Sequence, residues 1–179
     1  MFGSLTLGGY DSAKFIKNDL QYSFYPNSDR DLMVYIDAIT TSSSFSRSSE
    51  SSLLSNPIPA FLDSTLPYIW LPTITCGAFE KAFNLAWDET TQLYLLNETQ
   101  HAALTALNPN VTFTIGNFTS DLKVNITLPY AAFDLEAQYP LVANTTRYFP
   151  LKRANDSTQY TLGRAFFQEA YSFLTSPAL

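Results

Sequence analysis

Residues 59–72 read PAFLDSTLPYIWLP: an apolar stretch, an aspartate, two hydroxyl residues and a second apolar stretch. An aspartate that directly follows an apolar strand is costly to desolvate unless hydrogen bonds or a function compensate. Asp63 is therefore the candidate acid of this chain.

Alternating apolar and polar residues predict further strands on both sides of this segment. The pattern runs through Leu32–Ile39 and Val111–Ile115, and a shorter stretch, Ser4–Leu7, ends at Gly8 and Gly9. Aromatic residues make up 15% of the chain, which favours strands over helices. We expect an all-β fold with a few short helices.

Two helices are expected. The first covers Thr73–Leu85, and the second covers Glu98–Leu107, with Asn97 as its N-cap and Asn108 followed by proline as its stop. A serine-dominated stretch, 41–56, has too little apolar content to offset the entropy of ordering, and it is expected to be a mobile surface loop. A length of 179 residues otherwise suits a single domain.

Charge excludes two classes of partner. The formal net charge is −6 and the pI is about 4.6, which repels both nucleic acid and anionic membrane surfaces. No apolar run reaches the roughly 18 residues that span a bilayer, because Pro67 and Pro72 interrupt the most apolar stretch. The first residues lack the basic and apolar regions of a secretory signal, so we expect either a cytosolic protein or a missing beginning.

Acceptor motifs for N-linked glycans favour the missing beginning. The pattern N-x-S/T occurs about two times by chance in such a chain, whereas here it occurs at six asparagines. These are Asn97, Asn110, Asn117, Asn125, Asn144 and Asn155. The excess predicts a secreted, glycosylated protein whose signal peptide is missing from this chain.

Other chemistry is sparse. Cys76 is the single cysteine, so it either pairs with a thiol elsewhere or is an inert buried thiol. His101 has no Cys, His or paired carboxylate at ligand spacing, and we expect a surface residue and no metal site. No glycine-rich phosphate loop and no G-x-S-x-G nucleophile motif are present, so no cofactor is expected.

The segment 59–72 resembles the catalytic loop of pepsin-like aspartic proteases (peptidase A1), apolar-apolar-Asp-[Ser/Thr]-Gly-[Ser/Thr], with the downstream proline in place. Residues 3–11, GSLTLGGYD, resemble the strand and turn that open the C-terminal lobe of this family. Residues 160–167, YTLGRAFF, resemble the apolar-apolar-Gly segment that passes beside the catalytic loop. The resemblance covers residues 3 to about 171 and is closest to secreted fungal members.

This resemblance implies that 1–179 is the C-terminal lobe of a bilobal aspartic protease, truncated at both ends. In that family two aspartates share one proton and activate a water. Asp63 is the implied catalytic residue, and Ser64, Thr65 and Gly163 are the implied support of its loop. Asp37 lacks the hydroxyl-glycine continuation, so the second aspartate belongs to the absent N-terminal lobe. The implied function is a portion of a secreted endopeptidase that cleaves peptides or proteins and is inactive as an isolated lobe.

Two positions depart from the family pattern. Thr65 stands in place of a glycine, which adds a Cβ where the chain packs closely, and Leu66 replaces a hydroxyl residue whose hydrogen bond holds the carboxylate. These changes favour a second interpretation, a non-catalytic secreted pseudoprotease that keeps the fold for binding. A third is a symmetric dimer, like the retroviral proteases, in which two copies of Asp63 meet. Arg164 follows Gly163 and is a candidate cation beside Asp63, while Tyr68 is expected to be a core aromatic.

Overall fold

The computed structural model describes residues 7, 9–20, 22, 31–45, 51–117 and 121–172. Within these ranges the chain is mostly β-sheet with two α-helices and several single-turn 3₁₀ helices, which confirms the predicted all-β class with a few short helices. The strands are β1 Met33–Thr41, β2 Ser51–Ser52, β3 Ile58–Leu62, β4 Ile69–Pro72, β5 Ala86–Asp88, β6 Leu93–Leu96, β7 Asn110–Gly116, β8 Lys123–Pro129, β9 Leu135–Ala137, β10 Thr146–Phe149, β11 Leu151–Ala154 and β12 Thr161–Leu162. The predicted strand Ser4–Leu7 lies outside the described residues except for Leu7.

The strands form two sheets. The larger has the order β11-β4-β12-β3-β1-β7-β8, with β2 paired to the end of β1. The smaller has the order β5-β6-β10-β9 and is antiparallel throughout. In the larger sheet, β3 and β4 follow each other in sequence but do not pair, because β12 lies between them. The loop that joins β3 to β4 therefore crosses the end of β12.

Both predicted helices are present, and their ends follow from the cap residues. Helix α2 spans Glu98–Leu107 as predicted, since Asn97 and Gln100 form a reciprocal capping box at its start. Asn108 ends it in the left-handed conformation at φ 43°. Helix α1 spans Thr73–Phe83 and ends earlier than predicted, because Asn84 adopts the same left-handed conformation at φ 52°.

Aromatic side chains from α1 and both sheets form the main core. Phe149 on β10 stacks on Phe133 at 4.7 Å between ring centroids and on Phe83 at 5.9 Å. Phe79 meets the edges of Phe83 and Phe149. Full burial of one such side chain stabilises the fold by about 1.5–3 kcal/mol. The core thereby fixes α1 and β10 against the strands around Asp63.

A smaller apolar group, the second cluster, lies under the four-stranded sheet. Its buried members are Leu93, Ala137, Val142 and Tyr148, and Tyr68, Leu95 and Leu135 pack against them. Tyr68 belongs to the loop between β3 and β4. The second cluster therefore joins the smaller sheet to the candidate loop.

The serine-rich stretch 41–56 is more ordered than its composition predicts, so the prediction of a mobile surface loop is wrong for its last part. Ser51–Ser52 forms β2, and Leu53 and Leu54 are buried in the main core. The Leu53 N–H donates to the carbonyl of Ile39 at 2.7 Å. Two adjacent leucines supply enough apolar area to anchor the end of this stretch. Residues 46–50 lie outside the described ranges.

Candidate active site

Asp63 begins the loop that leaves β3 and crosses the end of β12. Its backbone N–H donates to the carbonyl of Leu162 on β12 at 3.2 Å, and its carbonyl accepts from the Leu66 N–H at 3.3 Å. The side chain is half-buried, and Ser64, Thr65 and Leu66 are exposed. The carboxylate therefore stands at the surface on a loop whose base is tied to the sheet.

Thr65 holds the Asp63 carboxylate twice. The Thr65 backbone N–H donates to Oδ1 at 2.8 Å, and the Thr65 hydroxyl donates to the same oxygen at 2.6 Å. Thr65 thus supplies a hydroxyl donor, although Leu66 lacks the one that the family pattern provides. Ser64 makes no hydrogen bond with any residue in the described ranges, and Oδ2 of Asp63 makes none either. One carboxylate oxygen is fixed and the other faces outward.

Gly163 braces this loop by close backbone packing. A Cβ at this position would lie 2.2 Å from the carbonyl oxygen of Tyr68 and 2.5 Å from that of Leu66, so no side chain fits. Both neighbours of Gly163 are hydrogen-bonded to the loop. The Leu162 carbonyl accepts from the Asp63 N–H at 3.2 Å, and the Arg164 N–H donates to the Leu66 carbonyl at 2.7 Å. Gly163 lies beside the loop, as the resemblance of residues 160–167 implies. Its role in catalysis stays a prediction.

Arg164 lies against the loop but does not pair with Asp63. Its guanidinium Nη1 is 3.5 Å from the carbonyl oxygen of Thr65, and it forms no ion pair with any carboxylate of the described residues. Burial raises the pKa of Tyr68 and of Tyr148, and the charge of Arg164 lowers both pKa values in part. The positive field of Arg164 therefore extends to these two phenols.

A second carboxylate does not hydrogen-bond to Asp63 within the described residues. Asp37 lies at a bulge of β1 and forms an ion pair with Lys123 at 2.8 Å. It is a strand residue, as the sequence predicts, and the structure adds Lys123 as its partner. The arrangement offers one oriented carboxylate, and paired-aspartate chemistry requires a second one about 3 Å away.

The six predicted glycosylation residues lie where a glycan can attach. Asn97, Asn110, Asn125, Asn144 and Asn155 are exposed, and Asn117 is half-buried. Asn97 combines two roles, because its side-chain oxygen already caps α2 by accepting from the Gln100 N–H at 2.9 Å. A glycan attaches to the side-chain nitrogen, so both roles are compatible. Glycosylation itself stays a prediction.

Cys76 is a buried thiol. Its Sγ lies 3.6 Å from the carbonyl oxygen of Leu71 and 3.4 Å from that of Lys152, and the residue has no exposed surface. Burial raises the pKa of the thiol to about 12. Of the two alternatives that the sequence leaves open, the geometry favours the inert buried thiol, because a disulfide partner could not reach it without opening the core.

His101 is half-buried and differs from the isolated surface residue that the sequence predicts. Its Nε2 is 3.0 Å from Oδ2 of Asp134, which lies just before β9. A pairing over 33 positions leaves no periodic signal in the sequence. In the part of the chain that the structure describes, no group of three or more His, Cys, Asp or Glu side chains could hold a metal ion. Neither described helix combines the length and apolarity needed to cross a membrane.

Comparison with protein-family models and with curated proteins finds no match to this chain. Among solved structures, the chain is similar to the aspartic proteinase from Irpex lacteus, with 17% sequence identity and a TM-score of 0.49. The similarity covers 90% of this chain and 45% of that proteinase. The chain thus spans less than half the length of that proteinase.

Proposed function

We propose that this chain is one lobe of a pepsin-like aspartic endopeptidase and that Asp63 is one of its two catalytic carboxylates. The observation that carries the proposal is the Asp63 loop. It joins two strands that an inserted strand keeps apart, it is packed against Gly163, and it presents an oriented carboxylate. The resemblance of residues 59–72 and 160–167 to the corresponding family segments supports the same conclusion.

The chain's own residues prepare this carboxylate for the reaction. The two donors of Thr65 fix Oδ1, which leaves Oδ2 to face a water and the partner aspartate. In paired-aspartate hydrolysis one carboxylate takes a proton from the water while the other, protonated, polarises the scissile carbonyl. Like charges about 3 Å apart cannot both ionise, so the pair shares a single proton. The partner aspartate belongs to a second lobe, and this lobe alone is inactive.

The setting of the protein is part of the proposal. Five exposed acceptor asparagines and one half-buried one support a secreted glycoprotein of the fungal type. The single cysteine does not oppose secretion, because its thiol is buried and is not presented to an oxidising compartment. The substrate is an extended peptide or an exposed segment of a protein.

A second candidate function is a secreted pseudoprotease that binds peptides without cleaving them. The observation that favours it is the convergence of both Thr65 donors on one oxygen. The family pattern instead places a glycine and a further hydroxyl residue after the aspartate, at the positions of Thr65 and Leu66 here. Within the described residues, Oδ2 therefore has no donor that would hold it in place for a water.

Cleavage of peptides at acidic pH by the protein expressed from its gene tests the two candidates. We expect Asp63→Ala to lower cleavage on the order of a thousandfold or more, because removing one member of a catalytic unit removes most of its activity. Alanine is chosen because asparagine followed by Ser64 and Thr65 would create a new glycan acceptor. Asp156→Ala is the matched control, since Asp156 makes the same turn with Thr158 outside the loop. Cleavage that survives Asp63→Ala contradicts both the protease assignment and the role of Asp63. A folded protein with both lobes and no cleavage supports the pseudoprotease.

A further inference from the structure

Three hydrogen-bond donors beside the Asp63 loop lack acceptors suited to them. The phenol groups of Tyr68 and Tyr148 make no hydrogen bond with any residue in the described ranges. The guanidinium of Arg164 makes only the 3.5 Å contact with the Thr65 carbonyl, and no carboxylate of the described residues pairs with it. Tyr68 is half-buried and Tyr148 is 8% exposed, so part of each side chain lies at the surface.

The backbone explains why these donors meet. Because Gly163 packs on the carbonyls of Leu66 and Tyr68, the next residue, Arg164, must leave the sheet directly beside the loop. The rings of Tyr68 and Tyr148 stand edge to face, with 6.1 Å between their centroids. The charge of Arg164 lowers the pKa of both phenols against the raising effect of burial, so both phenols lie within its field.

The two tyrosine rings are held by packing, and a lysine ammonium lies close to one of them. Both tyrosines pack in the second cluster, which fixes their rings without using their hydroxyl groups. The ammonium of Lys152, whose pKa is lowered by burial, lies 4.8 Å from the centre of the Tyr68 ring and donates to the carbonyl of Gln92. Lys152 therefore adds positive potential to this region. It accepts no hydrogen bond from the phenols or the guanidinium, so a ligand is needed to supply their acceptor.

A guanidinium, which can only donate, together with two hydroxyl groups that can also donate, favours an acceptor that carries negative charge. Guanidinium and hydroxyl groups match the geometry of a carboxylate, and such charge-assisted bonds are about twice as strong as neutral ones. Thr65, which contacts the guanidinium, lies two residues from Asp63, a span of at most about 7 Å along the chain. A carboxylate bound here would therefore sit within a few residues of the peptide bond next to Asp63.

We propose that Arg164, Tyr68 and Tyr148 form a carboxylate-binding subsite beside Asp63, which gives the protein a preference for acidic peptides. The carboxylate comes either from a glutamate or aspartate side chain or from the free C-terminus of the peptide. This inference rests on the proposed function in taking a peptide as the ligand. It assigns Arg164 and the two tyrosines as binding residues, whereas the sequence predicts Tyr68 as a core aromatic.

The test uses the Asp63→Ala form of the protein, so that peptides bind without being cleaved and no new glycan acceptor is created beside the subsite. The probes are amidated peptide pools with mixed flanking positions that differ only in a central Glu or Gln, together with a Gln pool that has a free C-terminus. At pH 5.5 we expect the Glu pool or the free-acid pool to bind about fivefold more tightly than the amidated Gln pool, since an exposed ion pair contributes at most about 1 kcal/mol. Whichever pool gains identifies the source of the carboxylate.

Arg164→Gln is expected to abolish this preference and Arg164→Lys to retain part of it. Tyr148→Phe should reduce it without changing binding of the amidated Gln pool. Lys81→Gln removes an exposed cation on α1 and serves as the matched control, with the preference unchanged. A Glu preference should also fade as the pH falls through about 4, where glutamate loses its charge.

Equal binding of all pools to the parent protein, or a preference that survives Arg164→Gln, overturns the subsite. The outcome is separate from that of the proposed function, because binding is measured on a form that does not cleave. If wild-type protein cleaves no peptide and yet the preference depends on Arg164, the subsite stands and the protease assignment fails. If wild-type protein cleaves Gln and Glu peptides equally well and binds them equally, the protease assignment stands and the subsite fails.

Discussion

Two copies of the tripeptide Asp-Ser-Thr, at residues 63–65 and 156–158, form the same turn in two different settings. In each, the aspartate Oδ1 accepts from the threonine N–H and hydroxyl, at 2.8 and 2.6 Å in the first copy and at 2.7 and 2.5 Å in the second. In each, the aspartate carbonyl accepts from the N–H three residues later, at 3.3 and 3.2 Å. Local sequence therefore determines the turn in both places.

The surroundings of the two turns differ. The second turn opens the 3₁₀ helix Ser157–Gln159 on the exposed approach to β12, and Asp156 caps it. The first lies where β12 ends, with Gly163 packed against its loop and Arg164 beside it. Two short hydrogen bonds to an aspartate therefore do not by themselves indicate a functional site. The inserted strand and the close glycine are the features that distinguish Asp63.

The largest effect is expected from a methyl group that breaks the setting of the first turn. Gly163→Ala should lower the free energy of unfolding by about 3 kcal/mol or more, because the added Cβ meets two backbone carbonyls that cannot turn aside. Gly77→Ala is the control: nothing lies within 4 Å of a Cβ there, and alanine in a helix interior should stabilise by about 0.5–1 kcal/mol. Urea unfolding of the three proteins measures both.

If Gly163→Ala instead lowers the free energy of unfolding by no more than the amount that Gly77→Ala raises it, the loop is free to move away from β12. The comparison of the two turns would then lose its basis, since neither would be held by the sheet. The proposed role of Asp63 would lose its main support with it.

The sequence predicts part of this contrast and misses the rest for identifiable reasons. The capping residues around α2 act locally, so its limits could be predicted from Asn97 and Asn108. The place of Gly163 beside the loop came from the resemblance of residues 160–167, since two-residue β12 is too short to show any periodicity. The hydroxyl donor from Thr65 was missed because the family pattern assigns that role to the position of Leu66.

Contacts between distant positions could not be predicted. The His101–Asp134 pair, and the effect of the Arg164 charge on the pKa of Tyr148, arise only from the packing of the fold, and no spacing in the sequence encodes them. Leu53 and Leu54 were misjudged because a serine-rich average conceals two apolar neighbours. Sequence reasoning thus predicted Asp63 and the glycine that packs against its loop, but not the hydrogen-bond donors that surround the loop.

An intermediate effect is expected at Cys76, which reports whether the strands that carry the first turn open. Its thiol contacts carbonyls of β4 and β11, and burial raises its pKa to about 12. At pH 8 only about one thiol in 10⁴ is then ionised, so iodoacetamide should label native protein far more slowly than a free cysteine. Gly163→Ala should speed this labelling, whereas Asp156→Ala should not.

The same thiol gives a dependence of stability on pH. Because its pKa in the folded state lies above the unfolded value, the stabilisation is fully present below about pH 9 and is lost as the pH rises towards 12. Cys76→Ala should therefore flatten the decline of the unfolding free energy between pH 9 and 11. Rapid labelling of the parent protein at pH 8, followed by mass spectrometry, would contradict a sealed thiol.

The smallest effect is expected from the hydroxyl groups of the two turns themselves. Thr65→Val and Thr158→Val each remove one hydrogen bond to an aspartate at an exposed position and keep the backbone one. Each should cost less than about 1 kcal/mol of unfolding free energy, and the two costs should agree, because the turns share their geometry. Only Thr65→Val should also impair peptide cleavage. Unequal costs in urea unfolding would mean that the sheet around Asp63 changes the energetics of the turn, whereas equal costs with equal, unimpaired cleavage would remove Thr65 from the proposed site.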